Sequence, residues 1–156
     1  INTAAFKNDG FIENAAKEFG SQCIVASVDV KKTDLGYRVF VSHGQENTNL
    51  NPTAWTTHLS NSGVGEILLN SIDNDGVGKG YDLKLSKKIS SNCRCPIIAC
   101  GGAGEWEHFK QILDETNVDA VAAANIFQYM DQSVYLAKKF LYQNNCNVRK
   151  PDLLKI

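Results

Sequence analysis

Short apolar runs alternate with amphipathic segments along this chain. Four runs are rich in apolar and β-branched residues and show little polar alternation, which is typical of strands buried on both faces of a parallel sheet. They cover residues 23–28, 66–72, 96–100 and 118–124. The pattern therefore predicts a parallel sheet rather than an antiparallel sheet with one face in water.

Segments with helical periodicity separate and follow these runs. They cover residues 10–19, 53–61, 82–90, 105–115 and 133–143. A strand followed by a helix, repeated about four times, predicts a βαβα fold with right-handed crossovers.

One connection, residues 31–50, is too long for an ordinary βα loop. Residues 37–41 within it alternate like a strand, and Asp34-Leu35-Gly36 is typical of a turn. We expect a β-hairpin that forms a flap over the C-terminal end of its strand.

Four strands are too few to close a barrel, and an open sheet of this composition would leave edges and an apolar face uncovered. Two architectures remain: half of a (β/α)8 barrel that another segment completes, or a doubly wound domain. The length of 156 residues suggests a single domain. The first residue, Ile1, falls in what reads as a strand. This start favours a missing upstream segment, although processing or a trimmed tag would give the same beginning.

Composition narrows the class of partner. The chain is 43% hydrophobic and 21% charged, its formal net charge is −1, and its basic residues are scattered, so no nucleic-acid partner is expected. The chain contains no run of about 18 apolar residues, so no membrane span is predicted.

The five cysteines lack zinc-type spacing, which favours reduced thiols, and neither a metal nor a cofactor is expected. We expect a cytoplasmic protein.

Polar or glycine-rich segments stand at the end of every predicted strand, where barrels carry their functional groups. They are Asp29, residues 70–76, residues 101–104 and Asn125. Each alone could cap a helix or form a turn. Asp29 is the candidate for proton transfer, and an Asp bonded to a neighbouring loop is an equal alternative.

The glycine-rich turn Gly101-Gly102-Ala103-Gly104 is the clearest physical signal for an anion. Glycines let main-chain N–H groups approach a phosphate closely, and the following helix points its positive end at it. Such turns are common, so the small and polar pair Ala124-Asn125 at the next strand end adds weight. Barrels commonly bind phosphate with their last two βα loops.

Several segments resemble the cyclase subunit of imidazole glycerol phosphate synthase. They include NTAA (2–5), VDVKK (28–32), SIDNDG (71–76), GYD (80–82) and GGAG (101–104). The resemblance runs almost from end to end of this chain but covers only the C-terminal half of the family's length, and the combination of SIDNDG, GYD and GGAG is specific.

The resemblance implies a (β/α)8 TIM barrel of which residues 1–156 form about the C-terminal half. The family takes ammonia from a separate glutaminase subunit and closes an imidazole ring on a ribonucleotide with two phosphates, giving imidazole glycerol phosphate in histidine biosynthesis. An N-terminal half-barrel or a second copy would complete the barrel. One catalytic Asp of the family lies on a strand that this chain lacks, so the chain alone is expected to be inactive.

Residue by residue, the resemblance implies the following roles. Asp29 corresponds to the second catalytic aspartate, and Glu66 to a charged residue where ammonia enters, although a surface salt-bridge partner would look the same. The expected phosphate ligands are Asp75, Gly76, Gly102, Ala124 and Asn125 on this half, with Asn2 and Thr3 at the other phosphate site.

Some positions depart from the family pattern. Asn70 stands where a Thr is frequent, Asn125 where a Ser is usual, and the flap segment 43–49 is less basic than expected. These features resemble cyclase-like paralogues of surface-polysaccharide clusters, which are thought to pass ammonia to a sugar and form an acetamidino group. A third alternative is a non-catalytic half-barrel that only binds phosphate or self-associates.

Overall fold

The computed structural model of the chain describes residues 1–129 and 133–151 and contains a six-stranded sheet with the order β3-β2-β1-β4-β5-β6. The strands are β1 (Val25–Thr33), β2 (Gly36–Val41), β3 (Glu46–Asn47), β4 (Glu66–Ser71), β5 (Ile97–Cys100) and β6 (Ala120–Ala122). The helices are α1 (Thr3–Lys7), α2 (Phe11–Phe19), α3 (Pro52–Asn61), α4 (Leu83–Ser90), α5 (Trp106–Glu115), α6 (Ile126–Tyr129) and α7 (Val134–Gln143), with a 3-10 helix at Ser21–Cys23.

The four strands predicted from the apolar runs are parallel neighbours, as expected. β1 pairs with β4, β4 with β5 and β5 with β6, so their C-terminal ends meet at one edge. The register aligns side chains in layers across the sheet. Ser27, Leu68, Ile98 and Ala120 form one layer, and the layer of Asp29, Asn70, Cys100 and Ala122 lies above it.

The hairpin predicted within residues 31–50 is confirmed: β1 and β2 pair antiparallel, with Asp29 opposite Phe40 and Thr33 opposite Gly36. The expectation that the strand ends at Asp29 is wrong. The parallel ladder to β4 ends at Val30, but pairing with β2 carries β1 on to Thr33. Asp29 therefore stands inside a strand that is paired on both sides, which restrains its main chain.

One face of the sheet forms the main core. The buried side chains Val28, Val30, Ile67, Leu69 and Ile97 alternate along β1, β4 and β5 and pack in one cluster. The same cluster contains buried side chains from four successive helices. They are Ile12 of α2, Leu59 of α3, Leu85 and Ile89 of α4, and Ile112 of α5. These helices therefore cover the same face of the sheet.

The opposite face is more open, since Ser27, Leu68 and Ile98 are only partly buried and Ala120 is exposed. In the part of the chain that the structure describes, the core helices thus form one layer, whereas a doubly wound sheet has helices on both faces. The architecture is that of part of a (β/α)8 barrel, whose strands carry helices outside and turn their other face inward.

The five predicted helices match α2, α3, α4, α5 and α7 to within one residue at each end. The short elements α1, α6 and the 3-10 helix were not expected. The 3-10 helix contains Cys23, whose side chain is exposed, so placing this residue in an apolar strand was wrong. Within residues 1–129 and 133–151, no helix is long and apolar enough to cross a membrane.

Candidate functional site

The carboxylate of Asp29 accepts hydrogen bonds from three side chains. Asn2 Nδ2 donates to Oδ2 over 3.3 Å, while Ser27 Oγ and Asn70 Nδ2 donate to Oδ1 over 3.3 Å and 3.5 Å. Strand geometry produces this arrangement, because Ser27 lies two residues away on the same face and Asn70 stands opposite Asp29 in the parallel ladder. The three donors orient the carboxylate on the open face of the sheet.

Asn2 and Thr3 connect Asp29 to the flap. Asn2 Nδ2 also donates to the carbonyl oxygen of Ser27 over 3.0 Å, and the Thr3 hydroxyl donates to Asn2 Oδ1 over 3.1 Å. The same hydroxyl accepts from the main-chain N–H of Ser42, in the flap, over 3.0 Å. The two residues predicted for a phosphate site are thus brought to Asp29 and the flap.

The remaining predicted ligands surround a cavity of about 170 Å³ at the C-terminal edge of the sheet. Three loops line it: the loop after β4 with Asp75 and Gly76, the glycine turn after β5 with Gly102, and the loop after β6 with Ala124 and Asn125. Residues of the layers below complete the lining, namely Ser27, Leu68, Asn70 and Cys100. The structure therefore brings these five predicted residues together.

Unused main-chain donors lie on all three loops. The N–H groups of Gly76, Gly102 and Asn125 have no hydrogen-bond partner among the residues that the structure describes. Main-chain N–H groups without a protein partner, on loops that line one cavity, are donors that an anion could use, as in loop and helix N-terminal sites.

Close packing between the main-chain atoms of two loops fixes the glycine turn. Gly102 has a φ of +114°, and a Cβ there would lie 2.1 Å from the carbonyl oxygen of Gly80. The N–H of Gly80 donates to the carbonyl oxygen of Gly102 over 2.8 Å, and Asn74 Nδ2 donates to the carbonyl oxygen of Gly80 over 2.9 Å. Gly102 is thus required by the contact between two loops, in addition to any approach of an anion.

Sequence reasoning did not assign roles to Ser27 and Cys100, which also belong to the site. Burial, together with the negative charges of Asp75 and Asp29, raises the pKa of the Cys100 thiol, so this side chain is neutral at physiological pH. The period-2 alternation of β1 could have revealed Ser27, because it points to the same side as Asp29.

Glu66 does not belong to this cluster. It is the first residue of β4, exposed and opposite Val25, so it lies at the N-terminal edge of the sheet. A larger groove of about 800 Å³ runs between α5, β6 and α7. Its lining is mainly apolar and contains none of the predicted site residues, whereas five of them line the smaller cavity.

The fold and the site define a class of protein: a partial (β/α)8 barrel with a polar site at the C-terminal edge of its parallel strands. A family model described as Histidine biosynthesis protein matches residues 1–133. This chain belongs to that family.

The curated relatives extend the match. The chain is 44% identical over 150 residues to imidazole glycerol phosphate synthase subunit HisF of Hydrogenobaculum sp. (strain Y04AAS1), covering 96% of this chain and 60% of that protein. It is 43% identical over 149 residues to the subunit of the same name from Campylobacter concisus (strain 13826), covering 96% of this chain and 59% of that protein. The chain therefore spans about 60% of the length of these relatives.

Proposed function

We propose that residues 1–156 form the C-terminal half of a cyclase-type (β/α)8 barrel subunit that uses ammonia to close an imidazole ring on a phosphorylated ribonucleotide. One observation carries the proposal. Ser27 and Asn70 hold the Asp29 carboxylate and also line the cavity that the three loops surround. A candidate proton-transfer group is thereby placed beside a candidate anion site, as a reaction on a phosphorylated substrate requires.

In this proposal the cavity holds one phosphate of the substrate. The N–H groups of Gly76, Gly102 and Asn125 donate to its oxygens, and Ala124 keeps the approach open because its side chain is small. Asp75 lies in the same loop as Gly76, and its side chain is exposed. A carboxylate that faced the phosphate would repel it, so the Asp75 carboxylate turns toward water in this proposal, and the residue contributes through the loop that it helps to form.

The second phosphate lies toward Asn2 and Thr3. Both side chains hydrogen-bond to protein groups in this structure, so a bound phosphate would take over the Thr3 hydroxyl from Asn2 and the flap. The flap would then respond to the substrate through Ser42. Asp29 stays between the two phosphate sites and transfers the proton during ring closure.

The partners follow from the same proposal. The relatives are named as subunits of a synthase, and a glutaminase subunit would deliver ammonia at the N-terminal edge, where Glu66 lies. An N-terminal half-barrel or a second copy would cover the open face of the sheet. We assign the assembly to the cytoplasm, where histidine is made.

A second candidate function keeps the fold and the ammonia chemistry but changes the acceptor to a sugar, which receives an acetamidino group. The observation that favours it is the place of Asn70 and Asn125, two of the three departures from the family pattern, on the lining of the same cavity. Both side chains add amide donors and acceptors where the substrate would bind. A half-barrel without turnover would bind phosphate and do nothing further.

The test supplies the full polypeptide that contains this chain with an ammonium salt and the two-phosphate ribonucleotide. Ring closure should yield imidazole glycerol phosphate, which chromatography and mass spectrometry would detect. Amidination of a nucleotide-linked sugar instead would establish the second candidate. No product from either acceptor, with retained phosphate binding, would leave the non-catalytic half-barrel.

Phosphate binding is tested separately by calorimetric titration with inorganic phosphate. Asn125→Asp changes size little but places a negative charge at the cavity, so affinity should fall at least about tenfold through like-charge repulsion. The matched control, Asn61→Asp on the exposed end of α3, should bind as the parent does. Equal affinity in both variants would move the phosphate site elsewhere.

A further inference from the structure

Two cysteine sulfurs are in contact in the loop between α4 and β5. Cys93 Sγ and Cys95 Sγ are 3.4 Å apart, and both side chains are half-buried. All five cysteines lie in described parts of the chain, and this pair is the only sulfur–sulfur contact found there. The loop lies beyond the N-terminal end of β5, at the edge of the sheet opposite the candidate site.

The framework around the two sulfurs holds them together. Cys93 donates its main-chain N–H to the carbonyl oxygen of Ile89 over 3.0 Å, at the end of α4. Pro96, directly after Cys95, accepts from the N–H of Ile67 in β4 over 2.9 Å. Both cysteine side chains also pack against the main core. The loop is therefore tied at each end, and the thiols are neighbours before any reaction begins.

The contact is close to what a covalent bond needs. A disulfide has a sulfur–sulfur length of about 2.05 Å, so the sulfurs must approach by roughly 1.4 Å. We propose that Cys93 and Cys95 form a modification site: a dithiol that low-molecular-weight disulfides oxidise as one unit.

The reaction is a thiol–disulfide exchange in two steps. The Cys93 thiolate attacks one sulfur of the small disulfide, which releases one small thiolate and leaves a mixed disulfide on Cys93. The Cys95 thiol then loses its proton to solvent, and its sulfur attacks Cys93 Sγ and releases the second small thiolate. In total, two electrons and two protons pass from the protein dithiol to the small disulfide, which becomes two thiols.

The order of attack follows from the surroundings of Cys95. Burial and the hydrogen bond with Cys93 raise the pKa of the Cys95 thiol, so less thiolate is present there at neutral pH than at an ordinary cysteine. The thiolate is the nucleophile in the exchange, so Cys95 is a poor first attacker. Once Cys93 carries the mixed disulfide, Cys95 needs to react only with the sulfur beside it.

The experiment equilibrates the folded protein in buffers with increasing ratios of oxidised to reduced glutathione, blocks free thiols with N-ethylmaleimide and measures peptide masses. The peptide that contains both cysteines should lose two hydrogens, resist alkylation and recover both thiols with dithiothreitol. Cys23, an exposed single thiol, serves as the internal control and should stop at a mixed disulfide. Either of two results would overturn the proposal. One is a separate glutathione on each cysteine of the pair, and the other is alkylation of both Cys93 and Cys95 in a buffer that oxidises Cys23.

A second measurement does not depend on any variant folding. The same equilibrium in urea reports the unfolded chain, and the folded loop should favour the internal disulfide by about tenfold because its thiols are already adjacent. An equal or lower ratio of internal disulfide to free thiols in the folded protein would show that the loop does not preorganise the pair and would overturn the site.

Two variants add a control. Cys93→Ser should leave Cys95 at most singly glutathionylated, whereas Cys23→Ser should leave oxidation of the pair unchanged. Neither result depends on turnover, so the outcome is independent of the proposed cyclase function.

Discussion

Asp29 combines two properties that are usually opposed: its carboxylate is held firmly, and yet two of the side chains that hold it, Ser27 and Asn70, line a cavity. Three side-chain donors fix its carboxylate, and β2 and β4 restrain its main chain on both sides. A proton-transfer group needs this kind of orientation, because its efficiency depends on geometry before it depends on acidity. The alternative, a purely structural Asp, makes the same contacts but would contribute nothing to turnover.

Replacing Asp29 with Asn separates these two roles. In the full polypeptide with substrate and ammonia, kcat should fall about 10²–10⁴-fold, because the amide cannot exchange the proton. The unfolding free energy should fall by about 1 kcal/mol, since an Asn NH₂ group faces donors and loses hydrogen bonds. Steady-state kinetics and urea unfolding measure the two effects.

Asp34→Asn in the flap turn is the matched control and should change neither quantity, because that carboxylate is exposed. Near-normal turnover of the Asp29→Asn protein, together with a large loss of stability, would assign Asp29 a structural role.

Tyr37 ties the flap to α4. Its hydroxyl donates to Asp82 Oδ2 over 2.8 Å, while Asp82 caps α4 by accepting from the N–H of Leu85 over 2.9 Å. Burial and the neighbouring Asp82 raise the pKa of Tyr37 to about 12. An unfolded tyrosine ionises near pH 10, so the folded state keeps this proton to a higher pH.

The resulting stability is complete below about pH 10 and is lost as pH rises toward 12. Tyr37→Phe should lower the unfolding free energy by about 1 kcal/mol at pH 8, and the difference from the parent should shrink above pH 10. Urea unfolding at pH 8, 10 and 11 measures it, with the exposed Tyr142→Phe as the control. A difference that does not change with pH would show that the hydrogen bond to Asp82 contributes nothing.

At the scale of elements, the loops after β4 and β5 behave as one unit. A Cβ at Gly102 would meet the Gly80 carbonyl oxygen, and a Cβ at Gly104 would lie 2.1 Å from the Gly78 carbonyl oxygen. The candidate anion cavity therefore depends on main-chain contact between these two loops. Glycine appears here for close approach as well as for its positive φ.

Two alanine substitutions isolate the effect of this contact. Gly36 in the flap turn also has a positive φ, +89°, but a Cβ there would have nothing within 4 Å. Gly36→Ala should therefore cost only the conformational strain, about 1 kcal/mol. Gly102→Ala should cost about 3 kcal/mol, because the loops must also move apart. Thermal or urea unfolding compares the two, and equal losses would show that the loop contact is unimportant.

The elements that the sequence predicts well are those with long periodic patterns. Four buried runs and five helices emerge from apolar spacing alone, because burial on a parallel sheet imposes that spacing. The short elements α1, α6 and the 3-10 helix contain too few residues to show a period. The extension of β1 to Thr33 also escapes prediction, since it depends on pairing with β2 rather than on burial.

The site is predictable for a different reason. Strands that run parallel bring their C-terminal ends together, so Asp29, Asp75, Gly102 and Asn125 can be grouped from their order alone. The tie between Asn2, Thr3 and the flap is not predictable, because it joins residues far apart in sequence through hydrogen bonds that leave no pattern. Ser27 and Cys100 enter the site through strand register, which the sequence shows only once pairing is known.

At the scale of the whole molecule, the two faces of the sheet are unequal. Val28, Ile67 and Leu69 on the helix side are at most 2% exposed, whereas Leu68 and Ile98 on the other side are only partly buried. Apolar area left in water costs about 25 cal/mol per Å². The open face is therefore expected to be covered, either by an N-terminal half-barrel or by a second copy of this chain.

The isolated chain tests this expectation directly. It should associate into dimers or larger species, because copies can shield one another's open faces. Sedimentation equilibrium over a range of micromolar concentrations measures the mass of the associated species.

Leu68→Glu places a charge on the open face and should shift the protein toward monomer, since a carboxylate cannot be buried between two faces without a partner. Leu35→Glu is the matched control: Leu35 is 77% exposed in the flap turn, beyond the parallel ladder that ends at Val30, and its replacement should leave association unchanged. Circular dichroism of both variants would confirm that they remain folded. A parent chain that stays monomeric would show that the open face tolerates water, and the half-barrel proposal would then lose its main energetic support.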